Sequence, residues 1–127
     1  GADAARSGNF DAGVELAGAA RAVTGVHVAA ALADGDRQAA NILDLFCANV
    51  AVGLANLVMV LDPARIVIAG GVCEIGEPLR AGIDAALIDA TLGAAHRPKV
   101  EVVLAVLGSR AGAIGASLLA AEIDATG

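Results

Sequence analysis

The stretch GLANLVMVLDPARIVIAGGVCEIGEPLRAGI, residues 53–83, decides the fold. Its Asp62-Pro63 pair ends a helix, because the proline ring removes a backbone donor and biases the preceding residue away from α geometry. RIVIA, residues 65–69, is short, β-branched and apolar at successive positions, the pattern of a strand buried on both faces of a parallel sheet. Gly70 and Gly71 then turn the chain. Gly76-Glu77-Pro78 starts a helix expected to reach about residue 92, with Pro78 in the first turn, where its missing N–H is harmless, and Gly93 as the stop.

Upstream of this stretch, Ile42, Leu45, Phe46, Val50, Leu54, Leu57 and Val58 keep a helical period, which predicts one helix over 37–61, about 38 Å long. Asp36, in the break formed by residues 33–36, is placed to cap it. Val14, Leu16, Ala17 and Ala20 predict an earlier helix over 11–23, stopped by Thr24-Gly25, with another turn or two of helix over 26–32. A short helix or irregular turn comes first. Downstream, residues 100–107 read as a second strand, and Gly108-Ser109 leads into a last helix over 110–123 with Ser109 as its cap. Strand, helix, strand is a crossover between adjacent parallel strands and should be right-handed. The helical first half supplies no further strand, so the sheet edge needs cover from another segment, another subunit or further sequence.

A chain of 127 residues has room for one domain, and 57% apolar content fills one core. With 8 Lys and Arg against 14 Asp and Glu, no basic field exists to attract nucleic acid or an anionic bilayer. Tyr and Trp are absent, which leaves no stacking platform for bases. Cys47 and Cys73 form neither a CxxC pair nor a dense framework, so neither structural zinc nor a disulfide scaffold is indicated, and a reducing cytoplasm is the expected compartment. The apolar run over 47–61 falls short of the roughly 20 residues of a spanning helix and contains Asn49 and Asn56, which points to a buried helix. The first residues carry no basic segment followed by an apolar one. Because residue 1 is Gly, the chain reads as an excerpt or a processed product.

Both candidate ligand positions lie where a parallel strand gives way to a helix, the usual place for binding loops in open α/β sheets. Gly70 and Gly71 let backbone approach a ligand closely, or form a plain tight turn. The motif is neither GxGxxG nor GxxxxGK[ST], and no lysine stands near it to grip a triphosphate. Gly112 and Gly115 fit either helix-against-sheet packing or ligand contact, and Arg110 either a phosphate contact or a solvated charge. Glu74 and Glu77 are near enough to the first turn to influence a ligand, and Cys73 follows it. Asp34, Asp36, Asp44, Asp84 and Asp89 form no acid/base pair in sequence and read as structural or solvated. His27 and His96 stand alone without HExxH spacing, Cys47 lies on an apolar helix, and Met59 fills a gap at helical spacing. No catalytic residue and no metal ligand is assigned.

Residues 53–83 closely resemble a second-lobe segment of the ROK family of bacterial sugar kinases and sugar-responsive repressors, and GSRAGAIGASLLA, residues 108–120, matches its ending. The resemblance runs over about 26–121, most strongly over 48–121, and departs from the family at Met59, Ala69 and Cys73, where Asn, Gly and Ser are common. It implies an incomplete C-terminal lobe, residues 1–127, of an actin/hexokinase-like (ribonuclease H-like) α/β ATPase fold. Gly70, Gly71 and Gly112 are the implied nucleotide-binding positions.

The family's DxGxT phosphate loop, its sugar-activating aspartate, its ExxxH segment and its cysteine-rich zinc motif are not assignable in this chain. The resemblance therefore implies the adenosine-side lobe of an ATP-dependent hexose or amino-sugar kinase using Mg-ATP, inactive as an isolated chain. Its partners would be a missing N-terminal lobe, a sugar substrate and further copies of itself, with no nucleic acid and no membrane. The alternative is the effector lobe of a ROK repressor.

Overall fold

The computed structural model describes residues 1–106, 110 and 112–117. Helices α1 (Ala2–Arg6), α2 (Asp11–Ala17), α3 (Gly25–Ala33) and α4 (Arg37–Leu61) precede strand β1 (Arg65–Ile68), helix α5 (Glu77–Ala90) and strand β2 (Glu101–Leu104). Short 3-10 helices cover Ala20–Ala22, Gly71–Ile75 and Ala94–His96, and residues 112–117 are helical. The strands pair in parallel, from Arg65 opposite Glu101 to Ile68 opposite Leu104, with α5 as the crossover.

Local chemistry fixes α4 at both ends. The Asp36 carboxylate accepts the Ala39 N–H at 2.7 Å, satisfying one orphan donor of the first turn. At the other end Asp62 turns left-handed at φ 45°, its N–H donates to the Val58 carbonyl at 3.0 Å, and Pro63 prevents continuation. Ala39, Leu43, Cys47, Ala51, Ala55 and Val58 recur at helical spacing and form its buried stripe.

On α5 the matching stripe is Leu79, Ile83 and Leu87. The two stripes meet each other and Val102 of β2, with Ile66, Ile68 and Leu104 packed alongside. Each fully buried Leu or Ile contributes about 1.5–3 kcal/mol relative to exposure. The helices approach so closely at Gly82 that a Cβ there would lie 2.7 Å from Cys47 Sγ. A second cluster, around the fully buried Phe10 with Ala5, Val23, Val28, Ala31 and Ala39, seats α1, α2 and α3 on the first turn of α4.

The structure corrects several expectations. The helix expected over 11–23 ends at Ala17, because Gly18 takes a left-handed φ of 74°, and the chain resumes as the 3-10 turn Ala20–Ala22. β1 is not buried on both faces: Ile66 and Ile68 face the helical layer while Val67 is 59% exposed, since no described element covers its other side. The α5 helix stops at Ala90, two residues before the expected end, where Thr91 turns extended and its hydroxyl donates to the Leu87 carbonyl at 2.6 Å. β2 is confined to Glu101–Leu104. Met59 is half exposed and accepts from Arg97 Nη1 at 3.0 Å, so it is not core filling. Gly108 and Ser109 lie outside the described residues.

Helix α4 as a whole is long and apolar enough, by length and composition, to cross a membrane. Its buried stripe instead forms the centre of this core.

Candidate functional site

At the C-terminal end of β1 the backbone enters a conformation reserved for glycine. Gly70 has φ 99° and ψ −177°, a region where a side chain would be strained. The Gly70 carbonyl accepts the Cys73 N–H at 3.1 Å, closing the 3-10 turn Gly71–Ile75 directly over the strand end. Gly71 is different: its φ is ordinary, and among the described residues an added Cβ would meet no atom within 4 Å. Among the described residues nothing requires glycine there.

The 3-10 turn packs against α3, and a cavity of about 590 Å³ opens between them, lined by Gly71, Val72, Glu74 and Ile75 on one side and Gly25, Val26, Ala29 and Ala30 on the other. The α3 wall is held by its start, where the Thr24 N–H donates to His27 Nδ1 at 2.9 Å. That bond makes Nδ1 an acceptor, so a neutral His27 carries its proton on Nε2.

Among the described residues the lining is apolar and small, with one carboxylate, Glu74, and no cation. Such a slot suits a flat, uncharged body that brings its own hydrogen-bond donors, and is poorly suited to a triphosphate alone. A second cavity of about 160 Å³ lies near the start of β2, between Val58, Leu87, Ile88 and Val100, far smaller than a nucleotide requires.

Of the residues singled out in the sequence, Gly71 and Glu74 line the cavity between the turn and α3, and Gly70 shapes the turn that bounds it. Glu77 sits just beyond, where Arg80 Nε donates to its Oε2 at 2.8 Å and this bond holds its carboxyl below the ordinary range. Cys73 is half-buried and its thiol donates to the Ile68 carbonyl at 3.1 Å. Gly112 and Gly115 are exposed in the helical residues 112–117, with no described atom within 4 Å of an added Cβ, and neither is among the described residues that line the cavity.

The aspartates do not converge. Asp36 caps α4, Asp84 pairs with Lys99 at 2.7 Å, and Asp44 and Asp89 face solvent. Among the described residues no three His, Cys, Asp or Glu side chains group as metal ligands. Cys47 is buried, and burial, reinforced by Asp44, pushes its thiol pKa up.

The α3 wall was not singled out in the sequence. Its only signal is the spacing of Gly25, Val26, Ala29 and Ala30, which puts small side chains on one helical face.

Comparison with known proteins matches the ROK family over residues 7–123. The chain belongs to the ROK family. It is 30% identical over 106 residues to glucokinases of Streptomyces coelicolor and Streptomyces lividans, a match covering 80% of this chain and 32% of each relative. Among solved structures it superposes on a ROK family glucokinase from Streptomyces griseus, crystallised with glucose and AMPPNP, with a TM-score of 0.81 and 28% identity over 93% of this chain. This ROK chain spans 38% of that structure, about a third of the length of its relatives. The actin/hexokinase-like fold expected from the resemblance therefore stands, here as a helix-rich assembly with one short parallel strand pair.

Proposed function

We propose that this ROK chain forms the adenosine-side part of the C-terminal lobe of an ATP-dependent sugar kinase, with residues 48–121 as its most characteristic portion. The observation that carries the reading is the apolar cavity over the β1 end, where Gly71 presents backbone without a side chain and the fold itself leaves the space open. Val26, Val72 and Ile75 would sandwich an adenine ring. Gly112 would approach from the last helix.

The phosphates would project from the cavity towards residues outside this chain, because no cation lines it among the described residues. The base that accepts the sugar proton, the phosphate loop and the Mg²⁺ ligands would come from the first lobe, with hexose or amino sugar in the cleft between the lobes. Phosphoryl transfer of this kind depends on positioning and electrostatics, so a lobe that only seats the nucleoside contributes through orientation. An ATP-using enzyme with free thiols belongs in the cytoplasm.

The test is a chimera in which this chain replaces the matching segment of the S. griseus glucokinase, assayed for ATP-dependent glucose phosphorylation. Gly71→Val should raise the ATP KM at least about tenfold, with glucose KM and the far-UV spectrum unchanged, because Gly71 lines the cavity and an added Cβ meets no described atom within 4 Å. A folded Gly71→Val chimera with normal ATP KM and kcat/KM would overturn the assignment. The isolated chain should give no sugar phosphate with Mg-ATP and a hexose panel.

A further inference from the structure

The connection from α5 to β2 leaves a space that its own side chains do not fill. α5 stops at Ala90, Gly93 turns left-handed at φ 73°, and Pro98 lacks a backbone donor just before β2 begins, so residues 91–100 form an irregular loop around one 3-10 turn. Leu92 is the one large aliphatic residue between Thr91 and Arg97, and it is 77% exposed and lines no part of the space. The cavity of about 160 Å³ lies between this loop and the last turns of α4 and α5.

Its lining has two chemistries. Val58, Leu87, Ile88 and Val100 give it apolar walls. An aliphatic-walled cavity of about 150 Å³ accommodates a benzene ring, which limits the apolar body of a ligand here to about six carbons. The polar lining is Arg97, Lys99, Asp84 and Thr91, with Lys99, 61% exposed, on the side open to solvent.

Donors outnumber acceptors in that polar set. An ammonium carries three N–H donors and a guanidinium five. Lys99 gives one to Asp84 Oδ2 at 2.7 Å, and Arg97 gives Nη1 to the Met59 sulfur and Nη2 to Asp62, which leaves further donors on both without an acceptor among the described residues. The Thr91 hydroxyl already donates to the Leu87 carbonyl. The complementary head group is one that only accepts, and an ionised carboxylate is the strongest such partner for Lys and Arg.

We infer that this cavity binds a small monocarboxylate whose tail is a single ring or a short branched chain, with the tail between α4 and α5 and the carboxylate on Lys99 and Arg97. Asp84 competes with the ligand for Lys99 and so weakens its binding. An α-amino acid would add an ammonium to a lining already rich in donors, so the simple acid fits better. The cavity adjoins the start of β2, at the opposite end of the parallel strand pair from Gly71, and the inference stands or falls apart from the nucleotide assignment.

The test is an NMR titration of the full 127-residue chain with benzoate, 4-methylpentanoate, acetate, benzyl alcohol and leucine at neutral pH. Benzoate and 4-methylpentanoate should shift the amides of Ile88, Lys99 and Val100 saturably and leave those of Gly71 and Ile75 in place. Both should bind at least about tenfold tighter than acetate, which lacks the tail, and than benzyl alcohol or leucine, which lack the matching head. Lys99→Gln should weaken benzoate about tenfold without changing benzyl alcohol, whereas Asp84→Asn should strengthen benzoate, a reversal that general loosening of the loop would not produce. The inference is overturned by the absence of saturable shifts at the cavity, by equal affinity for benzoate and benzyl alcohol, by leucine binding more tightly than 4-methylpentanoate, or by equal losses in the two variants.

Discussion

The crossing of α4 and α5 makes a quantitative prediction at Gly82. A Cβ built there lies 2.7 Å from Cys47 Sγ and 3.5 Å from Cys47 Cβ, so the sulfur alone is in conflict. Overpacking a tight core contact costs about 1–3 kcal/mol. Replacing a helix-interior glycine by alanine returns about 1 kcal/mol of propensity. Gly82→Ala should therefore range from neutral to about 2 kcal/mol destabilising, a fall in Tm of up to roughly 8 °C for a chain of this size.

Cys47→Ala removes the sulfur at a cost of about 1 kcal/mol for the lost packing. In that background Gly82→Ala should change sign and stabilise by about 1 kcal/mol, because the remaining Cβ contact is ordinary van der Waals distance. A double-mutant cycle by urea unfolding and calorimetry should then show a coupling of about 1–3 kcal/mol. Additivity within about 0.5 kcal/mol would mean that the helices do not meet at this pair, and the packing described above would be wrong.

The two thiols should separate kinetically. Cys73, half-buried beside the cavity, should label with a maleimide at a rate set by local fluctuation, whereas Cys47, buried and with its thiol pKa raised, should label about 100-fold more slowly, and equal rates would contradict this. Acid should weaken the start of α5. The Arg80 bond lowers the Glu77 pKa from its ordinary 4.5, so the pair's contribution is complete above that value and is lost as pH falls through the lowered folded value. A Tm profile from about pH 6 to pH 3 should thus fall less steeply for Glu77→Gln than for the unaltered chain, and parallel profiles would refute it.

How much was legible depended on whether the cause was local. Both ends of α4 were readable because Asp36, Asp62 and Pro63 act within a few residues of where they stand. The early helix was misjudged by the same means. Apolar spacing continues past Ala17, but Gly18 takes a left-handed turn that spacing does not report. Two-sided burial of β1 was a statement about layers, and a four-residue strand looks alike whether one or two helical layers cover it. Half of the cavity was legible as well. The Gly70-Gly71 pair marks the turn by its own chemistry, whereas the α3 wall comes from a distant helix and is brought to it only by tertiary packing.

The contrast between Gly70 and Gly71 shows why adjacent glycines should not be read as one motif. At φ 99° Gly70 is fixed by backbone geometry, and a side chain there would cost about 1–3 kcal/mol of strain wherever it pointed. Gly71 carries no such constraint, and among the described residues an added Cβ would meet only the cavity. Substitution at Gly70 therefore mixes folding with binding, while substitution at Gly71 isolates binding. That separation makes Gly71, rather than its neighbour, the position at which the nucleotide assignment can fail cleanly.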